Sequence, residues 1–218
     1  MGYRKMITGN KTAKEILVQD PFIKFEKNNH EYFDLKTKRK VPRSISDLKK
    51  GLFYRNAAIE EGIERGNAVH EACHIYVETK DAGLAYAHAG KYKSYVENFI
   101  NADFWNTWDV VVSEFMLIDR IWAIAGTLDL VLQNKKTNEL VLADIKTGKT
   151  APNVKMQLGG YTFMLQETYK DIKIDFCQVI FVHENELIRK RYETFDCWSE
   201  YSACRSLYYE KINWADMS

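Results

Sequence analysis

The chain has 218 residues, 46% of them hydrophobic and 28% charged, and its formal net charge is +1. This size and balance are typical of a globular domain with a sizeable core, and they argue against long disordered segments and a uniformly basic chain. No stretch is apolar for long enough to span a membrane, and the four scattered cysteines, without a Cys-x-x-Cys pair, indicate a reducing compartment. We therefore expect a cytoplasmic protein.

A hairpin and a short helix are predicted near the start of the chain. Aromatic and apolar runs on both sides of the turn-prone residues 27–29 predict a hairpin over 22–41. Ser44 or Ser46 is placed to cap a short helix that ends near Gly51.

Two longer helices are predicted next. The first spans about 55–80, because apolar residues recur there at near-helical spacing. Gly66 and His70 fall on the same stripe, so we expect His70 to point inwards. The second helix spans about 84–100. The apolar stripe of the first helix consists of Ile59, Ile63, Cys73 and Val77.

Strands dominate the second half of the chain, and they predict an α/β fold with a central mixed sheet flanked by helices. The predicted strands cover 110–118, 121–132, 139–146, 174–182 and 187–192, and the first three form a meander. Helices are expected over 154–169 and 199–214. We expect a single domain over residues 1–218. Its core would span about 41–195, and the N-terminal hairpin and C-terminal helix would be elaborations.

Asp129, Asp144 and Lys146 form the candidate catalytic group. Asp144 and Lys146 are two residues apart on one predicted strand, so both side chains point to one face. Asp129 lies on the neighbouring strand, and pairing across the turn at 134–138 can bring it near Asp144. A surface ion pair is the common reading of such residues, but these strands are strongly apolar, and buried charges need a metal or a partner. Two carboxylates and a backbone carbonyl suit Mg²⁺ or Mn²⁺.

Three further residues extend this group. His70 could supply another metal ligand, although a lone histidine on a helix is usually structural. Gln157 and Tyr161 are four residues apart on the helix after the third strand of the meander, so they share one face. Gly159 and Gly160 lie between them and permit close approach by a backbone or a ligand. Ordinary core and surface placement is the alternative for this pair.

In this order, the motifs resemble those of the PD-(D/E)XK nuclease superfamily, and within it the RecB-like branch that includes phage recombination exonucleases. The similarity covers about 41–182. The motifs that carry it are Val41-Pro42-Arg43-Ser44-Ile45-Ser46, Arg65-Gly66-Asn67-Ala68-Val69-His70, Glu114, Gly126-Thr127-Leu128-Asp129, Asp144-Ile145-Lys146 and Gln157-Leu158-Gly159-Gly160-Tyr161.

The resemblance implies a restriction-endonuclease-like core and metal-dependent hydrolysis of DNA phosphodiester bonds. It implies that the metal ligands are His70, Asp129, Asp144 and the Ile145 carbonyl, and that Lys146 is the catalytic lysine. Gln157 and Tyr161 would be supporting side chains, and Glu114 an auxiliary carboxylate. It also implies Mg²⁺ or Mn²⁺ as cofactor, DNA and a recombination protein as partners, and a bacterial cell with a phage or prophage origin. We expect an exonuclease of recombination or repair. An endonuclease of the superfamily and a non-catalytic DNA-binding recombination protein stay open.

Other motifs offer competing interpretations. The run from His70 to His74 matches the His-Glu-x-x-His pattern of zinc proteases, but a third ligand, such as Glu97, would be needed. Residues 147–150 resemble the end of a phosphate-binding loop, yet Ala143 replaces its first glycine. The late cysteines are too dispersed for the iron–sulfur cluster that some relatives carry; they are Cys177, Cys197 and Cys204.

Three basic groups could face phosphates, although each by itself reads as a solvated loop. They are residues 36–40 with Arg43, Lys49 and Lys50; Lys146 with Lys149 and Lys155; and Arg189-Lys190-Arg191.

Overall fold

A six-stranded mixed sheet with helices on both sides forms the centre of the protein. The computed structural model describes residues 11–52, 60–148 and 153–215, apart from the side chains of 49–52 and 212–215. The strands are β1 Ile23–Glu26, β2 Glu31–Asp34, β3 Arg39–Lys40, β4 Arg43–Ser44, β5 Trp108–Asp119, β6 Ile124–Asn134, β7 Leu140–Lys146, β8 Phe176–Val182 and β9 Leu187–Glu193. The helices are α1 Ala13–Ile16, α2 Ile45–Leu52, α3 Glu60–Thr79, α4 Ala82–Ala89, α5 Lys93–Ile100, α6 Val154–Thr168 and α7 Thr194–Ala215.

The predicted meander is present as three long antiparallel neighbours, β5, β6 and β7. β8 pairs with β7 in parallel, and β9 pairs with β8 antiparallel, so the sheet is mixed as predicted. The short strand β4 runs parallel to the start of β6, at Ile124 and Ala125. Those two residues also pair with β5. β4 therefore lies on the β7 side of β6, and β5 is an edge strand.

Each face of the sheet carries its own apolar core. The first core joins the sheet to α2, α6 and α7, and the second joins it to α3, α4 and α5. Strand β7 serves both, because Leu142 belongs to the first core while Val141 and Ala143 belong to the second. A strand that is buried on both faces explains the continuous apolar run before Asp144. Among the described residues, no helix combines the length and apolar character that a membrane crossing requires.

The N-terminal hairpin is present, with its turn at the predicted place, but it continues into a third strand. β1 pairs with β2, and β2 pairs with β3. The prediction of a serine cap is confirmed for Ser44. Its hydroxyl and Asp47 share reciprocal hydrogen bonds at the start of α2, with Asp47 N–H to Ser44 Oγ at 3.2 Å and Ser44 N–H to Asp47 Oδ2 at 2.8 Å.

Two predictions about the helical segment were wrong in detail. Ile63 does not belong to a buried stripe, since it is 53% exposed, whereas Cys73 and Val77 are buried as expected. The second predicted helix is two helices, α4 and α5, separated by a short 3-10 turn that begins at Gly90. Gly90 has φ +53°, a left-handed conformation that ends α4 and that glycine adopts without strain. Ile59 and the predicted start of the first helix lie outside the described residues.

Candidate active site

The candidate site lies where β6 and β7 stop pairing. Their ladder ends at the pair Leu130–Ala143. Beyond it, the Ile145 N–H donates to the Asp129 carboxylate, with N to Oδ2 at 2.7 Å, instead of to a backbone carbonyl. Asp129 therefore occupies the opening between the two strands, and its side chain is only 11% exposed. Apolar strands on both sides fix this position, so the carboxylate is held in place by the sheet.

His70 and Glu114 approach Asp129 from two other elements. His70 comes from α3, and its Nδ1 lies 3.5 Å from Asp129 Oδ2. Glu114 comes from β5, between residues that pair with Leu128 and Leu130 of β6. One ligand atom from each of the three side chains lies within 4.8 Å of the others. The structure thus brings together His70 and Asp129, two of the predicted ligands, and it places Glu114, the predicted auxiliary carboxylate, within the same distance.

Glu114 stands in an unusual backbone conformation. Its φ is +47°, in the left-handed region that costs a non-glycine residue about 1–3 kcal/mol. Burial raises the pKa of its carboxyl to about 7, and repulsion from Asp129 adds to the rise, while Lys27 opposes it. The residue as a whole is exposed, although its carboxyl lies close to His70 and Asp129. Backbone strain and raised carboxyl pKa values occur at functional sites and also in structural networks of charged groups.

Next to this group, the buried Asp144 forms an ion pair with the half-buried Lys146. Asp144 is 1% exposed, and its Oδ2 lies 2.5 Å from Lys146 Nζ. Burial raises the pKa of Asp144 despite the lysine, and nearby Asp129 contributes to the rise. For Lys146, burial favours the neutral amine, but Asp144 and Asp129 outweigh it and raise the pKa. Lys146 Nζ also donates to the Ile145 carbonyl at 3.3 Å. The two carboxylates therefore favour the ammonium form of Lys146.

Tyr161 of α6 packs against the other side of the opening. Its ring is buried, and burial raises the pKa of its hydroxyl well above the ordinary range; Asp129 and Asp144 also raise it, and a hydrogen bond to Gln157 lowers it. The predicted pairing of Gln157 with Tyr161 is therefore present. Gly126 permits this approach, since a Cβ there would lie 2.6 Å from Tyr161 Cε1.

Sequence reasoning missed one neighbour of the site, Tyr32. This side chain comes from β2 of the N-terminal hairpin, and its hydroxyl lies 2.9 Å from Thr127 Oγ1. Burial raises the pKa of Tyr32 to about 12, and the charge of Glu114 contributes. The aromatic run of the hairpin gave a strand pattern, but nothing local in it indicated contact with the Gly-Thr-Leu-Asp motif.

The competing motifs do not converge in the structure. His74 Nδ1 and Ser113 Oγ share a hydrogen bond of 2.8 Å, so His74 binds a different partner from His70. Glu71 pairs with Lys27 at 3.2 Å, and Glu97 pairs with Lys93 at 3.3 Å. Both carboxylates are at least 43% exposed, as solvated ion pairs usually are.

The cysteines and basic groups are also separated. Cys73 lies in the second core and the other three cysteines lie in the first. Residues 149–152, which include Lys149 and the end of the loop-like motif, lie outside the described residues, as do the side chains of Lys49 and Lys50. Lys155 lies in α6, and the Arg189-Lys190-Arg191 run lies on β9, two strands away from β7.

Comparisons with known proteins assign no family. No protein-family model matches the chain, and no curated protein matches it. Among solved structures, the crystal structure of SSO0001 matches over 73% of this chain and 82% of that chain, with 14% sequence identity and a TM-score of 0.31. A likeness of this degree carries no argument about function.

Proposed function

We propose that this chain is a metal-dependent deoxyribonuclease with a restriction-endonuclease-like core of the PD-(D/E)XK type. The observation that carries the proposal is one juxtaposition. Ligand atoms of His70, Glu114 and Asp129 lie within 4.8 Å of one another. Asp129 also accepts the N–H of Ile145, the residue between Asp144 and Lys146. Cation ligands and a half-buried ammonium therefore meet at one opening of the sheet.

The donor set fits a small divalent cation. Carboxylate oxygens suit both Mg²⁺ and Mn²⁺, whereas an imidazole nitrogen favours Mn²⁺ over Mg²⁺. Neither oxygen of the buried Asp144 accepts a hydrogen bond of good geometry, although Lys146 lies within ion-pairing distance. Such a carboxylate has coordination capacity to spare. His70, Glu114 and Asp129 would hold the ion. Asp144, which lies outside the group of atoms within 4.8 Å of one another, would join them as a further ligand together with the carbonyl of Ile145. A bound divalent ion would neutralise phosphate charge and polarise a water molecule.

Lys146 and Tyr161 would complete the site through their own charges and hydrogen bonds. Because Lys146 is an ammonium, it is suited to neutralise a scissile phosphate or to orient water, and less suited to remove a proton. Tyr161, with its hydroxyl un-ionised, would orient the two carboxylates nearest to it. DNA is the proposed substrate, in recombination or repair within a bacterial cell or a phage-infected one.

The test is cleavage of DNA by purified protein with Mg²⁺ or Mn²⁺, and its loss in EDTA. We expect Asp129→Asn and Lys146→Ala to lower the rate by at least about 100-fold, because each removes charge that acts on the phosphate. Matched controls are Asp109→Asn and Lys170→Ala, whose side chains are 70% and 67% exposed. Cleavage that persists in EDTA, or in both site variants, would contradict the proposal.

The same assay distinguishes the two forms of the activity. An exonuclease degrades linear DNA and leaves closed circles intact, whereas an endonuclease also converts closed circles to nicked or linear forms. Binding of DNA in EDTA, without cleavage when Mg²⁺ or Mn²⁺ is added, would instead indicate a non-catalytic recombination protein.

A further inference from the structure

Strand β5 is held from outside on both sides of Glu114. The residue before it, Ser113, pairs with Leu130, and the residue after it, Phe115, pairs with Leu128. Glu114 itself has φ +47°. A non-glycine residue keeps this backbone conformation only where the surrounding structure holds it. Two side chains from outside the sheet bond to β5 on either side of Glu114.

The first contact involves His74. Its Nδ1 and Ser113 Oγ share a hydrogen bond of 2.8 Å, directly before Glu114. His74 lies four residues after His70 on α3, which is about one helical turn. The helix that brings His70 to Asp129 therefore also fixes the backbone from which Glu114 projects.

The second contact involves Gln19. Met116, two residues after Glu114, donates its N–H to Gln19 Oε1 at 2.8 Å and accepts from Gln19 Nε2 at 3.1 Å. This amide makes the two bonds that a neighbouring strand would make, at an edge where the described strands offer no neighbour. Gln19, His74 and Glu114 line one cavity of about 1050 Å³ along this edge.

We propose that His74 and Gln19 are positioning residues that keep the Glu114 carboxylate beside His70 and Asp129, and so determine the affinity of the site for a divalent cation. If either contact is lost, β5 relaxes toward extended geometry and the carboxylate turns away from the group. The inference rests on the proposed function, because it takes the three side chains as metal ligands. It assigns His74, the second histidine of the zinc-protease-like motif, a role in positioning Glu114 and not in binding zinc.

The test measures Mn²⁺ binding by calorimetry in the absence of DNA. We expect His74→Ala, Ser113→Ala and Gln19→Ala each to weaken Mn²⁺ binding by about tenfold or more, the usual effect of residues that orient metal ligands. His74→Asn should restore most of the affinity, because its amide can occupy the place of Nδ1. His88→Ala is the control, since His88 is exposed on α4 and does not line the cavity.

A double-mutant cycle separates positioning from general destabilisation. In a Glu114→Ala background, His74→Ala should cause no further loss of Mn²⁺ affinity, because the residue on which it acts is gone. An equal loss in both backgrounds, or an unchanged affinity in His74→Ala and Ser113→Ala, would overturn the inference. Melting temperatures in EDTA identify any variant that does not fold, and Ser113→Ala removes only one oxygen. If the wild-type chain binds no Mn²⁺, the proposed function falls together with the inference. If it binds Mn²⁺ and cleaves DNA while His74→Ala binds equally well, only the inference falls.

Discussion

At the scale of single residues, the carboxylates of the candidate site repel one another when no cation is bound. Burial raises the pKa values of both Glu114 and Asp144, and each of these carboxyls is also repelled by Asp129. Among the residues that the structure describes, Lys146 is the one ammonium in direct contact with an acid of this group. Ionisation of these acids therefore concentrates negative charge at a place where a cation would relieve it, and it should destabilise the metal-free fold.

The pH dependence of stability tests this repulsion at Glu114. Its pKa is raised from 4.5 to about 7 in the folded protein, so the fold binds this proton more tightly than the unfolded chain does. The resulting stabilisation is present below the unfolded value and is lost as pH rises through about 7. We expect Glu114→Gln, which stays neutral, to raise the melting temperature in EDTA relative to wild type more at about pH 8 than at about pH 5.

The control for that measurement is Glu167→Gln, because the Glu167 side chain is 53% exposed. It should show the same difference from wild type at both pH values. Some loss of stability at high pH should remain in Glu114→Gln, since Asp144 is shifted in the same direction. A difference between Glu114→Gln and wild type that does not change with pH would refute the expectation.

At the scale of elements, α6 is positioned by its contact with α7. The Cα of Gly159 faces the backbone of Cys197, and a methyl group there would overlap the Cys197 carbonyl. A Cβ on Gly160 would lie 2.5 Å from Ile45 Cδ1 and 3.0 Å from Tyr201 Cε2. The prediction that these glycines permit close approach is therefore confirmed, and the approaching group at Gly159 is a helix backbone. This contact sets the height of Tyr161 above the sheet.

The substitution Gly159→Ala tests the packing of α6 on α7. We expect it to lower the free energy of unfolding by about 3 kcal/mol, because backbone atoms cannot move aside as a flexible side chain can. Gly62→Ala is the matched control on α3, where the nearest atom to the added Cβ is the end of Arg65 at 4.0 Å. That change should be neutral or stabilising by about 0.5 kcal/mol. Urea unfolding of both variants measures the difference, and equal effects would contradict it.

The order of elements from α3 to α7 could be predicted from periodicity, because each strand or helix there carries its own apolar pattern. The break between α4 and α5 could not, since the residues on both sides of Gly90 have helical patterns. β3 was missed for another reason: Arg39 and Lys40 are exposed, so no alternation marks them. Ile63 was predicted to be buried and is exposed, because the spacing of apolar residues does not reveal which part of a helix face packs against another element.

At the scale of the whole molecule, the candidate site depends on contacts between distant segments. The motif order indicated Asp129, Asp144 and Lys146, and their proximity follows from adjacent strands that are also adjacent in sequence. The position of Glu114 beside them depends on a left-handed residue in β5. Tyr32 and Gln19 reach the same region from the N-terminal segment, across sequence separations of 95 and 97 residues to Thr127 and Met116. No local pattern encodes such contacts.

The opposite border of the sheet, β9, carries the Arg189-Lys190-Arg191 run. Among the described strands, β9 pairs only with β8, and its residues are exposed or half-buried. Arg189 and Arg191 lie over aromatic rings, with the guanidinium carbons 5.5 Å from the Phe104 centroid and 3.9 Å from the Phe176 centroid. The cations are thus held along a strand whose outer backbone groups are open to pairing.

This arrangement makes β9 a barrier to self-association. Two copies that meet edge to edge would bring six cations together, offset in part by Glu193, which pairs with Arg191 at 3.2 Å, so net repulsion should oppose fibril-like pairing. Replacing all three cations with threonine should therefore increase light scattering on storage, whereas replacing the exposed Lys91, Lys93 and Lys170 should not. Salt should have the same effect on the wild-type chain, because charges are screened beyond about 8 Å at physiological ionic strength. The salt concentration would then decide whether the protein stays dispersed or begins to assemble with itself.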